Sequence, residues 1–405
     1  MGKKADRRSG SLNADRFQGE WAVDFQMTEE QKMIQETARL FAEKELKPRA
    51  AEIDATRVYP LPLLKTMAGL GLMGMNIPAE YGGSQAGVVS YSLAMMEIGK
   101  ACAATAVTMA VTNMAAELIH SFGKEEVRRA HIPKLCQGEY YGGAFALTES
   151  TAGSDSASMK SSAAKEGDHY VLNGSKTFIT NAESAGIFVV WAKTDKEAGP
   201  RGISAFLVEK GHPGFGVGRN EEKMGQRGSS TNEISIENCR LPRQNLLGQE
   251  GDGFKIAMMA LDGGRIGIGS MAVGIGLAAI EYATEYAKNR AQFGKPITSF
   301  QAIQYMIADS FTELEAARLM VLRAAFLKEK GHRFTREASM AKLLATETAN
   351  RVCYRALQML GGYGYVRDYP LERYARDCRV TTIYEGTSEI QRIVIAREIL
   401  GQEFV

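Results

Sequence analysis

The apolar residues of this 405-residue chain change their spacing twice along the sequence, and this limits the folds open to it. Ile34, Ala38 and Phe41 recur at helical spacing, and helical patterning continues to about residue 140. Short apolar runs between glycine, proline and asparagine breaks follow, as is typical of β-strands. From about residue 254 the helical spacing returns. The order helices, strands, helices predicts an α+β protein.

The pattern divides the chain into a predicted flexible tail over residues 1–24, an N-terminal helical domain over 25–140, a middle β domain over 141–253 and a C-terminal helical bundle over 254–405. The tail is polar and lacks the apolar stretch of a secretory signal. Its acidic residues Asp6 and Asp15 argue against a transit peptide, which stays the alternative. Order is expected to begin at Thr28, which can form a capping box with Gln31.

Turn and strand signals are concentrated in the middle segment. Asn173-Gly174 lies between two β-rich runs and predicts a hairpin turn within Val171–Ile179. Further strands are expected at Ile187–Ala192, Ile203–Val208 and Glu233–Ile236.

The C-terminal segment shows the longest helical periodicity. Apolar residues advance in steps of three and four from Phe300 to Ala324 and again from Ala338 to Met359, and Gly361 supplies a helix stop. Long adjacent amphipathic helices with short links predict a bundle.

Composition excludes several classes of function. The net charge is +2, so no strong field favours nucleic acid or anionic lipid. No uncharged run reaches the ~20 apolar residues of a membrane span. The five cysteines are scattered without a CxxC pair, which is a reduced, cytosolic pattern, and the five histidines are far apart. We therefore expect no metal site, and a carboxylate is the better candidate for a general base.

Two stretches starting at Gly267 and Gly274 match the GxGxxA pattern of dinucleotide-binding loops. Such a loop requires a preceding strand and a helix that begins at the glycines. Here the glycines lie inside an extended helical pattern, so close helix packing is the favoured interpretation.

The stretch from Phe145 to Asp155 is dense in small and hydroxyl residues at the predicted helix-to-strand boundary. Taken alone it fits a capped turn, and the functional interpretation is a cradle of amides and hydroxyls around a heterocycle or a phosphate.

Glu385 lies in the segment Tyr384–Gln391, just before a predicted helix start that Ser388 and Gln391 would cap. An ordinary acidic residue near a helix start is the simpler interpretation. The flanking Gly386 and the apolar-aromatic Ile383-Tyr384 indicate instead a partly desolvated carboxylate of raised pKa, suited to a general base.

Two arginines lie in glycine-containing contexts, at Asp262–Arg265 and Arg290–Gly294. Each alone fits a surface pair or a helix end. An arginine bound to a phosphate is the functional alternative.

Taken together, four blocks in this order resemble the acyl-CoA dehydrogenase family over about residues 24–403. The blocks are Ala146–Asp155, Lys176–Asn181, Arg290–Gln301 with Gln358–Gly362, and Tyr384–Gln391. The resemblance implies an N-terminal helical domain, a middle β-barrel-like domain and a C-terminal four-helix bundle. It also implies FAD between the β domain and the bundle, and a homotetramer made of two dimers.

By this resemblance, Thr148 and Thr180 hydrogen-bond the flavin ring, and Arg290 and Gln301 reach the FAD pyrophosphate of a neighbouring subunit. The implied FAD-binding residues are Phe145, Ala146, Leu147, Thr148, Ser154, Phe178, Ile179, Thr180, Arg290, Gln301, Gln358, Met359, Leu360, Gly361, Gly362, Thr387, Ser388 and Glu389. The implied substrate-binding residues are Ser154, Asp262, Arg265 and Gly386.

The resemblance further implies that Glu385 removes the α-proton of an acyl-CoA while the β-hydride passes to flavin N5, giving a trans-2-enoyl-CoA. Its backbone N–H would stabilise charge on the thioester oxygen. Electrons would pass to electron transfer flavoprotein. Some members place the base in the helix of the Asp262–Arg265 segment; here that position is Gly264.

Ala101–Asn113 has no basic residue for a dicarboxylate tail, and with Leu261–Ser270 it looks most like the short-chain, butyryl-type enzymes, with short branched acyl-CoA close behind. The expected role is fatty acid or branched-chain acyl-CoA degradation. The expected location is the bacterial cytoplasm, with the mitochondrial matrix as the weaker alternative.

Two departures from the family pattern occur, Ser150 where proline is usual and Phe178 where a flavin-stacking tryptophan is usual. The alternatives are an oxygen-using flavin oxidase or monooxygenase of the same fold and a non-catalytic acyl-CoA-binding relative.

Overall fold

The structure is a computed structural model that describes residues 26–401. The tail predicted over residues 1–24 lies outside the described residues. The remaining chain runs through helices, one large sheet and helices again, so the predicted α+β order is confirmed. The exact domain boundaries stay predictions.

The first part of the described chain is helical. It consists of α1 (Glu29–Phe41), α2 (Ala50–Thr56), α3 (Leu61–Gly69), α4 (Val88–Ala101), α5 (Ala103–Phe122) and α6 (Glu125–Cys136). Thr28 and Gln31 form the predicted capping box at the start of α1, since each side chain bonds the backbone N–H of the other residue. The apolar faces of α4 and α5 are almost completely buried, so these helices form the centre of this region.

One eight-stranded sheet follows, in the order β6-β7-β3-β2-β4-β5-β8, with β1 parallel to β4. Its strands are β1 (Gly143–Ala146), β2 (Ser162–Glu166), β3 (His169–Thr180), β4 (Ile187–Lys193), β5 (Ile203–Glu209), β6 (Phe215–Asn220), β7 (Thr231–Pro242) and β8 (Leu246–Leu247). One face of these strands encloses a shared apolar core, as expected of a barrel-like sheet. The other face of β4 and β5 packs against helices.

The predicted hairpin turn at Asn173-Gly174 is wrong, because both residues lie inside the continuous strand β3. The pairing of β3 with β7 shifts register here, and the Asn173 side chain accepts a hydrogen bond from the N–H of Asn238 on β7. A Cβ at Gly174 would overlap Ser161, which precedes β2. The glycine therefore permits close approach of a neighbouring segment at a bulge.

The C-terminal helices are α7 (Gly253–Asn289), α8 (Gln301–Glu329), α9 (Thr335–Leu360), α10 (Gly362–Tyr365), α11 (Leu371–Arg379) and α12 (Ser388–Leu400), and the short strands β9 (Ala291–Gln292) and β10 (Lys295–Pro296) separate α7 from α8. The predicted helices from Phe300 and Ala338 are confirmed as α8 and α9, and Gly361 ends α9 with a φ of 58°. Buried residues of α4 and α5 share one core with α7, α8 and α9.

Helix α7 is the central element of the fold. Among the described residues it is the one helix long and apolar enough to cross a membrane by length and composition, but 83% of its most apolar window is buried inside the protein. Its glycines lie within the helix, where a Cβ at Gly274 would overlap the carbonyl oxygen of Met96 on α4. The close-packing interpretation of the glycine pairs is therefore confirmed, and no strand leads into them as a dinucleotide loop requires.

We expect Gly274→Ala to lower the free energy of unfolding by about 1–3 kcal/mol, because the added methyl group meets backbone that cannot move aside. Gly263→Ala in the same helix is the control, since its methyl group meets only the end of the flexible Lys328 side chain, 2.9 Å away. Urea denaturation of both variants measures the difference. Equal unfolding midpoints for the two variants would contradict the packing argument.

Candidate active site

Glu385 lies in the short connection between the 3₁₀ turn Val380–Thr382 and α12. Its backbone φ is 51°, and that of Gly386 is 90°. A residue other than glycine rarely adopts this left-handed conformation, and residues held in it concentrate at functional sites. The helix expected after Glu385 is present, so the carboxyl group belongs to a strained segment at a helix start.

The predicted Ser388–Gln391 capping box is wrong, because the N-cap is Thr387, whose side chain accepts a hydrogen bond from the N–H of Ile390. Ser388 instead donates to the carboxylate of Glu347 on α9 at 2.6 Å, a charge-assisted hydrogen bond. Gln391 reaches back along the loop, and its Nε2 lies 2.9 Å from the Gly386 carbonyl oxygen. The helix therefore starts one residue earlier than the predicted cap implied.

The Glu385 carboxyl group faces α7. Its Oε2 is shielded from solvent and has no hydrogen-bond partner among the residues that the structure describes. A Cβ at Gly264 would overlap this oxygen and the terminal methyl group of Met114 on α5. The glycine at position 264 thus leaves the space that the carboxyl group occupies.

Burial raises the pKa of Glu385 to about 7, and the charges of Lys342 and Arg265 limit that rise. Lys342 lies on α9 and is 0% exposed, and its Nζ donates to the Gly386 carbonyl oxygen at 2.7 Å. A pKa near neutrality makes both the ionised and the protonated carboxyl available, as a general base or acid requires.

Asp262 and Arg265 form a largely buried ion pair one turn apart on α7, with Nη1 of Arg265 2.6 Å from Oδ1 of Asp262. Arg265 also donates to Ser339 at 3.1 Å, and Asp262 accepts from Thr335 at 2.6 Å. Nε of Arg265 is buried and has no partner among the described residues. The pair joins α7 to the beginning of α9 and keeps a positive charge near Glu385.

A cavity of about 400 Å³ lies between α4, α5, α7 and the α8–α9 connection. Gly264 lines it, so the cavity borders the wall behind which the Glu385 carboxyl lies. Its apolar lining includes Ala110, Met114, Leu118, Phe122 and Phe334. This size and a mainly apolar lining are typical of a small-molecule site.

Several polar residues of this cavity were not predicted from the sequence, among them Tyr91, Glu117, Lys328 and Arg333. Lys328 and Glu117 form an ion pair of 2.6 Å across it. Lys328 and Arg333 flank the connection between the two longest predicted helices. The cations on either side of this short connection were therefore a sequence signal that could have indicated these cavity residues.

The residues that were predicted to hold the flavin lie where β1 and β3 end. The carbonyl of Thr148 accepts a hydrogen bond from Thr177, which joins the loop after β1 to β3. Phe178 has a φ of 57° and is 64% exposed, so a large aromatic ring is presented to solvent from a strained backbone. The remaining predicted residues divide into Ala146, Leu147 and Ile179, which are buried; Phe145, which packs on Trp191; Thr180, which is half-buried; and Ser154, which is exposed.

A buried ion pair lies beneath this loop. Nζ of Lys176 is 2.8 Å from Oε1 of Glu149, and both side chains are buried. Burial would raise the pKa of Glu149, but the Lys176 charge and the N–H groups of Lys160 and Ser161 hold it below its usual range. Lys176 also donates to the Leu147 carbonyl. The pair therefore holds the loop next to Thr148.

The predicted pyrophosphate and adenosine residues form a separate exposed surface. The Arg290 guanidinium lies 5.6 Å from the ring centroid of Tyr363, which follows Gly361-Gly362. Gln301 and Gln358 are exposed, whereas the side chains of Met359 and Leu360 lie in the core and leave only backbone for a ligand. No described contact joins this surface to the Glu385 loop.

The structure thus brings Glu385, Gly386 and Arg265 together behind the wall at Gly264, and Asp262 lines the cavity itself. Thr387 caps α12, Ser388 donates a hydrogen bond to Glu347, and Glu389 is exposed. No group of three or more potential metal ligands occurs among the described residues.

Three family models match the chain. They are described as the acyl-CoA dehydrogenase N-terminal domain over residues 28–139, middle domain over 144–239 and C-terminal domain over 251–400.

Two curated relatives match over nearly the full length. The acryloyl-CoA reductase (NADH) of Anaerotignum propionicum is 49% identical over 93% of this chain and 96% of that protein. The mitochondrial short-chain specific acyl-CoA dehydrogenase of Homo sapiens is 47% identical over 93% of this chain and 91% of that protein.

Two solved structures match equally well. Butyryl-CoA dehydrogenase from Megasphaera elsdenii has a TM-score of 0.92 and 43% identity, covering 93% of this chain and 100% of that one. A chain in the structure "Electron transferring flavoprotein of Acidaminococcus fermentans: Towards a mechanism of flavin-based electron bifurcation" has a TM-score of 0.92 and 46% identity, covering 94% and 100%.

We expect Lys176→Met to destabilise the protein by about 3–5 kcal/mol, because it leaves the buried Glu149 carboxylate without its counter-charge. Arg240→Met on β7 is the control, since it breaks an exposed ion pair with Glu166 and should change stability by less than about 1 kcal/mol. Urea unfolding midpoints of the two variants measure the difference. A Lys176→Met midpoint equal to that of the control would show that the pair is not needed.

Proposed function

This chain belongs to the acyl-CoA dehydrogenase family, and from that premise we propose that it oxidises a short-chain acyl-CoA to the trans-2-enoyl-CoA, with Glu385 as the base. The observation that carries this proposal is the desolvated Oε2 of Glu385 next to the cavity wall at Gly264. A non-catalytic acyl-CoA-binding protein would have no need of a carboxyl oxygen that is shielded from solvent and has no hydrogen-bond partner among the described residues.

In this proposal Glu385 removes a proton from the α-carbon of the thioester. Such a proton is a weak acid, so the base needs a raised pKa and the developing charge on the thioester oxygen needs a donor. The pKa of Glu385, raised by burial to about 7, meets the first need. The backbone N–H of Glu385 is proposed to meet the second. The loop that carries this N–H is held in place by Gln391 and Lys342, which bind the carbonyls of Glu385 and Gly386.

The residues at the ends of β1 and β3 fit FAD. An exposed Phe178 ring offers a surface for an aromatic heterocycle, and the ion pair beneath the loop holds Thr148 beside β3. We propose that Thr148 and Thr180 bind the flavin ring, and that Arg290, Gln301 and Gln358–Gly362 bind the pyrophosphate and adenosine ends. When bound, the flavin would supply the acceptor for the hydride that leaves the β-carbon of the substrate.

The substrate is proposed to be a straight or short branched acyl-CoA of about four to six acyl carbons, and the cavity of about 400 Å³ has the size of a small-molecule site. Relatives named for short-chain and butyryl substrates favour the straight form. Ser154, Asp262, Arg265 and Gly386 remain the proposed substrate contacts, and Arg333 and Lys328 join them as cations in the cavity lining.

A second candidate is the reverse reaction, reduction of a 2-enoyl-CoA, in which reduced flavin would supply the hydride. One relative favours this direction by its name, acryloyl-CoA reductase (NADH). A carboxyl group with a pKa of about 7 suits either direction, because its protonated form can return a proton to the α-carbon. The rate of oxidation of a saturated acyl-CoA and the rate of reduction of an unsaturated acyl-CoA, measured on the same protein, distinguish the two candidates.

Electron transfer flavoprotein is the proposed acceptor, since a chain 46% identical to this one occurs in a structure named for that protein. Air-independent reoxidation by the flavoprotein would support this proposal, and rapid reoxidation by air would favour the oxygen-using alternative. A homotetramer is also proposed, because α8 exposes Tyr305, Phe311 and Leu319 along its length.

A bacterial cytoplasmic location stays a prediction, as relatives come from bacteria and mitochondria.

We expect Glu385→Gln to slow anaerobic flavin bleaching by butyryl-CoA at least ~10³-fold, since the base is lost while the shape of the side chain is retained. In the unaltered protein the rate should rise with pH through about 7, because only the ionised carboxyl accepts a proton. Glu281→Gln, an exposed carboxylate on α7, is the control. Bleaching that survives in Glu385→Gln would refute the assignment of the base.

Arg290→Ala is expected to weaken FAD retention and the oligomer together, because the proposed pyrophosphate contact crosses a subunit interface. FAD content after gel filtration and mass by light scattering measure both effects. Lys288→Ala, an exposed cation two residues earlier, should change neither. A flavin-replete tetramer in Arg290→Ala would count against the proposed contact.

A further inference from the structure

Lys342 lies on the buried face of α9, beside Ala338, Ala341 and Ala345, and its side chain is completely buried. A lysine is almost never fully buried unless its charge is paired. Removing the ammonium group from water is unfavourable, so an interaction inside the protein must compensate for the lost hydration. The position of this lysine therefore requires an explanation that helix packing does not supply.

The interaction is with the loop that carries Glu385. Nζ of Lys342 lies 2.7 Å from the Gly386 carbonyl oxygen, which also accepts from Nε2 of Gln391 at 2.9 Å. Gln391 lies 3.3 Å from the Glu385 carbonyl oxygen as well. Because each peptide unit is planar, these bonds fix the orientation of both peptide planes around Gly386, whose backbone is otherwise the most permissive in the loop.

Lys342 is also the principal counter-charge of the Glu385 carboxyl group. Its charge opposes the effect of burial on Glu385 more strongly than that of Arg265, whose guanidinium is engaged by Asp262. The other titratable groups facing Glu385 are the phenols of Tyr91 on α4 and Tyr384, and burial holds the pKa of both well above the usual range, so they are neutral. Lys342 itself also faces Glu347 on α9 and Glu389 on α12.

We propose that Lys342 is the positioning residue of the Glu385 loop: its ammonium group holds the Gly386 carbonyl, and its charge stabilises the ionised carboxylate in the space left by Gly264. The proposal rests on the proposed function of Glu385 as base. In this proposal Lys342 acts through the Glu385 loop, since its Nζ bonds the Gly386 carbonyl oxygen and its charge opposes the effect of burial on Glu385.

The test is the pH dependence of anaerobic flavin reduction by butyryl-CoA in Lys342→Met holoenzyme. Loss of the cation raises the pKa of Glu385, and because the base must be ionised, the acidic limb of the rate profile moves to higher pH. We expect a shift of about one pH unit. Below the midpoint the rate of the variant should therefore be about ten-fold lower than that of the unaltered enzyme, and the difference should narrow as the pH rises. A purely structural lysine would lower the rate by the same factor at every pH.

A second readout does not depend on turnover. Infrared difference titration of the carboxyl C=O band, assigned by its absence in Glu385→Gln, reports the ionisation of Glu385 directly. We expect the midpoint to lie higher in Lys342→Met than in the unaltered holoenzyme. Lys342→Gln also removes the charge but keeps a donor, so it supplies the same comparison if the Met variant does not fold or loses FAD.

Lys223→Met is the matched control, because Lys223 is a partly buried lysine that also donates to a backbone carbonyl, that of Ser229 at 2.6 Å. It should leave the acidic limb and the infrared midpoint unchanged. An unshifted limb and midpoint in the folded Lys342 variants would overturn the proposal for Lys342 alone. If Glu385→Gln had the same rate profile as the unaltered enzyme, the proposed function would be overturned instead. The two failures are therefore distinguishable.

Discussion

Desolvation of one carboxyl group is the constraint on which the candidate site depends. Oε2 of Glu385 has lost its water and gained no hydrogen bond among the described residues, so its ionised form is unfavourable. If burial acted alone, the group would stay protonated and could not accept a proton near neutral pH. Two buried cations, Lys342 and Arg265, offset part of that penalty and leave its pKa at about 7.

The rest of the structure supplies the space and the rigidity for this arrangement. α7 packs against α4 and α9, and its glycines allow close approach of the helices and leave room for the carboxyl group at Gly264. The Glu385 loop then needs a left-handed backbone to aim its side chain at α7, and Thr387, Gln391 and Lys342 hold it in that conformation. Contacts from two helices therefore stabilise the strained conformation of the loop.

Much of this could be predicted from sequence, because helical and strand periods depend on local patterning. The start of α1 at Thr28, the long helices α8 and α9, and a flexible glycine beside Glu385 are all local signals. The failures were non-local. Gly174 permits the approach of Ser161 from another segment, and Ser388 bonds Glu347 on a different helix, so turn and cap rules misassigned both.

Lys342 is an example of a residue whose burial the local pattern indicates but whose partner it does not. It lies in step with the alanines of the α9 core face, and a lysine at such a position indicates a buried charge. Its partner is 44 residues away along the chain, which no periodicity reveals. Arg333 and Lys328 likewise became site residues only when α8, α9 and α5 enclosed a common cavity.

The most direct test of the central claim is deuterium exchange at the α-carbon of acetyl-CoA in D₂O, followed by NMR with the holoenzyme. Acetyl-CoA has α-protons but no β-carbon, so exchange reports proton removal without oxidation. If Glu385 is a desolvated base, exchange should be catalysed, should increase with pH around a midpoint near 7, and should be lost when the carboxyl group is replaced by an amide. Exchange that is independent of pH between 5 and 9, or that persists in the amide variant, would contradict the account.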